Sequence, residues 1–245
     1  MTVTAIMEKQ PSKVEVWRMF DRIARRYDLL NHLLSLGQDI RWRKKVGRLL
    51  PPGEDQFILD LATGTGDQLL YLFKDNQKIK RAVGIDLAKQ MLAKGQIKIQ
   101  KRKLDDQIAL VEGNAQDIPY EDNVFDAATF AFGIRNMSDV DLSIAEIYRV
   151  LKPSGRVLIL EFSLPANRLI RQLYFIYFRN LLPVLGSVIS GDKYAYRYLN
   201  QSVETFPYGE DFCELLENGG FKQVKMKKLT FGIATIYYAD KPEVR

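Results

Sequence analysis

Short apolar runs alternate with helix-period stretches over most of this chain, and the alternation sets its expected architecture. Continuous apolar runs predict buried strands at 57–61, 82–86, 108–112, 125–130 and 157–162. Helical patterns fall between them, at 68–74, 88–102 and 142–151. Strand-helix repetition of this kind implies a mostly parallel sheet covered on both faces, with ligands bound beyond the carboxyl ends of the strands.

The flanks read differently. Residues 1–13 are expected to be a frayed tail. From 14 to 34 apolar residues recur at helical spacing (Val16, Met19, Phe20, Ile23, Tyr27, Leu30), a second helical stretch covers 39–50, and Pro51-Pro52-Gly53 closes the section. Leu151-Lys152-Pro153-Ser154-Gly155 reads as a helix end and a turn before the strand at 157. Between Pro165 and Gly191 the alternation breaks, and residues 169–179 mix aromatic and aliphatic residues with Arg171 and Arg179. A helix at 206–218 stops at Gly219-Gly220, and 224–229 with 233–239 form a closing strand pair. The expected fold is therefore α/β and Rossmann-like. Its mostly parallel sheet has seven strands, an N-terminal helical cap (14–53) and an inserted helix after strand five within a lid (164–205). All of this belongs to a single domain, 14–245.

Composition narrows the setting. The 245 residues are 47% hydrophobic and 27% charged, ordinary for a soluble globular chain. A net charge of +6 has two readings: solubility, or attraction to an anionic membrane surface. The basic residues are scattered and accompany no recognisable nucleic-acid module, so no nucleic-acid partner is expected. One cysteine, Cys213, excludes an internal disulfide and a Cys-based zinc site, and no metal is expected. No signal peptide is expected from the first ten residues, and no apolar run reaches the roughly 18 residues of a spanning helix. The expected location is cytoplasmic, or peripheral at the inner face of the membrane. Homodimerisation stays open.

The chemistry concentrates at Asp60-Leu61-Ala62-Thr63-Gly64-Thr65-Gly66-Asp67, where the first strand runs into a glycine turn and a helix. Gly64 and Gly66 let the backbone turn sharply and approach a ligand. Asp86 ends the next strand, where a carboxylate accepts hydrogen bonds from two ribose hydroxyls. Leu69 stands where the dinucleotide fingerprint would place its third glycine. That favours a nucleoside without a pyrophosphate, S-adenosylmethionine (SAM), and hence the class I SAM-dependent methyltransferase version of the fold.

Several further motifs resemble the C-methyltransferases of ubiquinone and menaquinone biosynthesis, from about Val16 to the final strand. They are Phe20-Asp21-Arg22-Ile23-Ala24-Arg25-Arg26-Tyr27-Asp28-Leu29-Leu30-Asn31, Phe132-Gly133-Ile134-Arg135-Asn136, and Tyr148-Arg149-Val150-Leu151-Lys152-Pro153. Glu161-Phe162-Ser163 and Tyr196-Arg197-Tyr198-Leu199 complete the set. The resemblance implies SAM-dependent C-methylation of a reduced polyprenyl quinone, with demethylmenaquinol favoured. The benzoquinol precursor of ubiquinone, a phytyl-naphthoquinol or another phenolic or lipid acceptor is the alternative. It places SAM contacts on Thr65, Asp86 and the pair Asn114-Ala115, beside the turn glycines Gly64 and Gly66. The family's serine after the fourth strand is Ala131 here, which removes a hydroxyl contact.

Arg135, Asn136 and Tyr27 are the catalytic candidates the resemblance implies. Arg135 is a poor base but can stabilise a developing phenolate or orient a water, against the plainer role of a salt bridge that fixes the loop. Tyr27 is either a core aromatic or a ligand contact. His32, the only histidine, is more often structural than acid–base in such a helix, and Asp67 either meets the methionyl amine or favours its helix N-terminus. Residues 169–179 form a buried helix or an interfacial one admitting a polyprenyl tail. Rivals are an NAD-dependent oxidoreductase, which lacks its third glycine, and a SAM-binding accessory subunit, against which the Arg135-Asn136 loop argues.

Overall fold

The structure is a computed structural model and describes residues 15–181 and 193–243. The expected tail at 1–13, and the middle of the expected lid, lie outside the described residues. Along the chain run α1 (Val16–Leu34), α2 (Gln38–Gly47), β1 (Gln56–Leu61), α3 (Asp67–Asp75), β2 (Ile79–Asp86), α4 (Lys89–Lys101) and β3 (Ile108–Glu112). They are followed by β4 (Phe125–Ala131), α5 (Val140–Val150), β5 (Leu151–Phe162), α6 (Arg168–Ile176), α7 (Lys193–Thr205), α8 (Glu210–Asn218), β6 (Lys222–Leu229) and β7 (Ala234–Asp240).

The strands form one seven-stranded sheet in the order β3-β2-β1-β4-β5-β7-β6. Strands β1 to β5 pair in parallel, and β7 enters antiparallel between β5 and β6. Period-two alternation divides the core into two faces. Leu59 and Leu61 of β1 and Ile159 of β5 point to the face covered by α5 and α8, through Ile144, Ile147, Phe212 and Leu216. Ile58, Leu158 and Leu160 point to the other, covered by Trp42 and Val46 of α2, Leu69 and Leu72 of α3, and Ile99 of α4. A third cluster joins α1 to the segment after β5: Met19, Ile23 and Leu30 pack with Tyr174, Phe178 and Val203. The cap therefore rests on the inserted segment as well as on α4, where Ala24 meets Ala88 and Met91.

Of the boundaries that differ from the sequence expectation, three have a plain local reason. Strand β5 begins at Leu151, not 157. Phe125 pairs with Leu151 and Ala127 with Arg156, so the expected turn is a bulge inside the strand, with Ser154 at φ +62°. That bulge is anchored where Ser154 N–H donates to the Lys241 carbonyl (2.9 Å) and Lys241 N–H to Gly155 (2.8 Å). Strand β2 starts at Ile79, because its charged, exposed Lys80 and Arg81 hide the pattern. Helix α8 starts at Glu210 and not at 206, since Pro207 and the left-handed Gly209 (φ +71°) separate it from α7. The segment after β5 holds two helices, α6 and α7, with a π-turn at Tyr177–Leu181, where one helix was expected.

Candidate active site

The glycine turn leaves β1 with Ala62, Gly64 and Gly66 all at positive φ (+45°, +56° and +75°), and Gly66 opens α3. Asp60 anchors the turn from below. Its buried carboxylate accepts from the Thr63 and Thr129 hydroxyls (2.6 Å each), and burial pushes its pKa up to about 6. Gly133 lets the loop after β4 touch this turn: a Cβ there would stand 2.6 Å from Ala62 Cβ and from the Phe130 ring.

Asp86 sits where the sequence places it, at the end of β2. Its Oδ2 accepts from Gly64 N–H and its Oδ1 from Ala88 N–H, both at 2.8 Å. The carboxylate, which also feels the Leu87 backbone N–H, keeps acceptor capacity for a ligand hydroxyl. Burial raises its pKa, opposed by those backbone donors. Asp86 lines a cavity of about 150 Å³ together with Gly64, Asn114, Ala115, Met91 and Asn136. Asn114 Oδ1 accepts from Gln116 N–H (3.0 Å), which leaves its amide –NH2 as the donor available to a bound base. Ala131 lines the same cavity without a hydroxyl.

Thr65 is placed differently from the expectation of a simple coenzyme contact. Its hydroxyl donates to Asp28 Oδ1 of the cap (2.6 Å) and accepts from Lys98 Nζ (3.0 Å). Lys98 also pairs with Asp67 and with Asp28, and Lys94 reaches Asp28 at 2.8 Å. Burial alone would raise the Asp28 pKa, but the hydrogen bonds from Lys94 and Thr65 and the charges of Lys98 and Lys94 outweigh it and hold the carboxyl low. Asp67 is thus occupied by Lys98, and Thr65 lines the small pocket at the glycine turn but not the cavity of Asp86. His32 lies between Asp39 (Nδ1 to Oδ2, 2.7 Å) and Asp67 (Nε2 to Oδ2, 3.9 Å) and does not line either cavity.

A second cavity, of about 290 Å³, is walled mainly by apolar side chains of α1, α2, α6 and the strand ends, among them Ile23, Leu30, Trp42, Phe162 and Tyr174. Phe20, Tyr27 and Phe132 line both cavities, and Tyr27 also lines a small pocket at the glycine turn. Burial raises the Tyr27 phenol pKa, while a hydrogen bond with Asn31 lowers it. The short 3-10 turn Ile134–Asn136 distributes its polar residues between the two spaces: Arg135 lines the larger, Asn136 the smaller. Asn136 Oδ1 accepts from the Tyr198 hydroxyl at 3.1 Å.

Arg135 is 5% exposed and paired with Glu161, which is 0% exposed, at 2.6 Å. Nη1 donates to Glu161 and to the Phe132 carbonyl (2.8 Å), and Nε to Ser202 Oγ (3.3 Å). Among the described residues both N–H groups of Nη2 are uncommitted. The salt bridge that fixes the loop and the donor that faces the cavity are the same side chain. Sequence reasoning missed Glu161 as a partner, although it stands in a quoted motif, and missed Arg43 altogether. The signal for Arg43 was present: Asp39, Trp42, Arg43 and Val46 share one buried helical stripe.

The sheet order, the glycine turn and the acidic end of β2 define the class I SAM-dependent methyltransferase fold. Within it, residues 6–241 match the ubiE/COQ5 methyltransferase family, and the chain belongs to that family. The demethylmenaquinone methyltransferase of Thermus thermophilus is 45% identical over 224 residues, covering 91% of this chain and 100% of its own. The ubiquinone/menaquinone biosynthesis C-methyltransferase UbiE of Geobacter sulfurreducens is 42% identical over 91% of this chain and 87% of its own. Among solved structures, the [4+2]-cyclase SpnF superposes with a TM-score of 0.69 at 17% identity, over 96% of this chain and 97% of that one. Phosphoethanolamine N-methyltransferase 2 of Haemonchus contortus, in complex with SAM, gives 0.60 at 18% identity, over 84% and 52%. At such identities these two show the fold alone.

Proposed function

We propose that this protein methylates a ring carbon of a reduced polyprenyl quinone with SAM, demethylmenaquinol to menaquinol being the reaction. The observation that carries the reading is the meeting of two unlike cavities at Tyr27, Phe20 and Phe132. One has a carboxylate and an amide for a nucleoside; the other is a mainly apolar chamber bordered by two guanidinium groups, Arg43 and Arg135. The residues fit the coenzyme: Asp86 keeps acceptor capacity for the ribose, and Asn114 with Ala115 borders the base.

When bound, SAM supplies the electrophilic methyl group. The chain's task is to hold the partners in line, exclude water and make the ring carbon nucleophilic. The nucleophile is the carbon beside a phenolate, so the phenolic proton must leave to a water held at the Arg135 loop or the cap. The two Nη2 donors of Arg135, uncommitted among the described residues, stabilise the oxyanion, while Glu161 keeps the guanidinium fixed and its charge balanced. Tyr27 and Asn136 border the place where the two ligands meet.

The polyprenyl substrate resides in lipid, and the outer surface suits a peripheral approach from the cytoplasmic side. Leu169, Leu173 and Ile176 form an exposed i, i+4, i+7 stripe on α6, and Leu29, Leu33 and Leu36 repeat that spacing at the end of α1. Leu36 is 81% and Phe231 76% exposed, each at or next to residues lining the larger cavity. No helix among the described residues is long and apolar enough to cross a membrane. In this reading 14–53 act as a cap and 164–205 as a lid of one domain.

The test is incorporation of labelled methyl from SAM into reduced demethylmenaquinone and, separately, into the benzoquinol precursor. A Geobacter relative named for both pathways makes the benzoquinol the second reading. Transfer to neither quinol refutes the proposal. Asp86→Ala is expected to weaken SAM binding by about 10–100-fold, the worth of charge-assisted hydrogen bonds. Leu173→Ser with Ile176→Ser should reduce binding to anionic liposomes without changing SAM affinity.

A further inference from the structure

Arg43 is a buried cation to which the mechanism above gives no task. It is 7% exposed, on the inner stripe of α2, with its guanidinium 5.2 Å from the Phe132 ring centroid. Among the described residues its side chain makes no hydrogen bond or salt bridge, and its Nε is fully buried without a partner. The helix carrying it is fixed, because Gln68 Nε2 donates to the Arg43 carbonyl (3.3 Å) and Trp42 Nε1 to Thr230 Oγ1 (2.8 Å). A charged donor left dry and unpaired is costly, so such a group points to an anionic ligand that completes it.

The nearby acids are already engaged. Asp60 is held by two threonine hydroxyls, Asp67 by Lys98, and Asp39 by His32 and Ser35. Arg43 stands between two spaces: it borders the larger apolar cavity, and it lines the small pocket at the glycine turn with Thr63, Gly64, Thr65 and Ala131. Gly64 and Ala131 also line the cavity that holds Asp86, so one elongated ligand can reach from that carboxylate to this guanidinium. We propose that Arg43 binds the α-carboxylate at the methionyl end of the coenzyme, at the far end of the turn from Asp86. A planar, permanently charged fork suits a carboxylate. The inference rests on the SAM reading above and adds a residue to it.

The experiment is calorimetric titration of the full chain with S-adenosylhomocysteine and with 5′-methylthioadenosine, which lacks the amino-acid end. The wild type is expected to bind the first far more tightly. Arg43→Gln should weaken S-adenosylhomocysteine by about 10–100-fold, the range for a charge-assisted hydrogen bond, and leave 5′-methylthioadenosine unchanged. Arg43→Lys should recover part of the loss, and carries the test if the Gln variant does not fold. Undiminished S-adenosylhomocysteine affinity in Arg43→Gln overturns the assignment. Equal loss for both nucleosides does the same, as does an effect confined to the KM for the quinol, which would give Arg43 to the larger cavity. If the wild type binds neither nucleoside, the SAM reading itself fails.

Discussion

Removing either partner of the Arg135–Glu161 pair should destabilise the protein severely, while removing both should not. The two groups are 5% and 0% exposed, with Nη1 and Oε1 2.6 Å apart. At an effective dielectric near 20, unit charges about 4 Å apart attract by roughly 4 kcal/mol. Truncating one partner of such a pair costs about 3–5 kcal/mol, because the other charge stays buried and uncompensated. For a chain of this size that is a fall of about 6–20 °C in Tm. Glu161→Gln and Arg135→Met are each expected to show it in thermal melts. The double variant leaves no orphan charge and should melt above both single variants. Strictly additive losses would refute the ion-pair reasoning. Methyl transfer separates the two roles of Arg135: the double variant should regain stability and remain inactive. Activity returning with stability would make the guanidinium purely structural.

Three further outcomes follow from the same geometry. Asp28→Asn should loosen α1 from the glycine turn, seen as faster amide exchange across 16–34. In the wild type this Asp28 contribution is present above the ordinary carboxylate pKa near 4 and is lost as pH falls through its depressed folded value. Asp60 has the opposite sign: with a folded pKa of about 6 it costs stability as pH rises from about 4 to 6. The difference is about two units, or about 3 kcal/mol, so Asp60→Asn should flatten the melt temperature over that window; an unchanged slope would contradict the assignment. Gly133→Ala places a methyl 2.6 Å from Ala62 and Phe130, and should lose about 1–3 kcal/mol by denaturant titration together with coenzyme affinity.

Elements set by local pattern are legible in the sequence itself. Strand β3 falls on 108–112 as expected, and the two-faced core follows from the apolar runs themselves. The positions of the glycine turn at the end of β1 and of Asp86 at the end of β2 are legible because each is set by a few neighbouring residues. Misses arose where distant groups decide. The bulge at 152–155 depends on Lys241 across the sheet, and the Thr65 hydroxyl is taken by Asp28, which is 37 residues away in sequence. Glu161 and Arg135 are 26 residues apart and meet only because β4 and β5 are neighbours. Arg43 is not singled out in the sequence because Lys44 and Lys45 follow it, although the helical period places it inward. The cap's contact with both cavities could not be read from periodicity, which reports that Tyr27 is buried but not what it faces.

With the coenzyme seated as proposed, the knot of Asp28, Thr65 and Lys98 makes its uptake and cap docking two views of a single equilibrium. A nucleoside that stiffens the glycine turn must also raise the melting point of the first helix, and by reciprocity a clipped first helix must shed affinity for a molecule sitting on the far strands. Protease nicking near the amino end should accordingly slow as coenzyme is added, giving an assay of occupancy that needs no quinone.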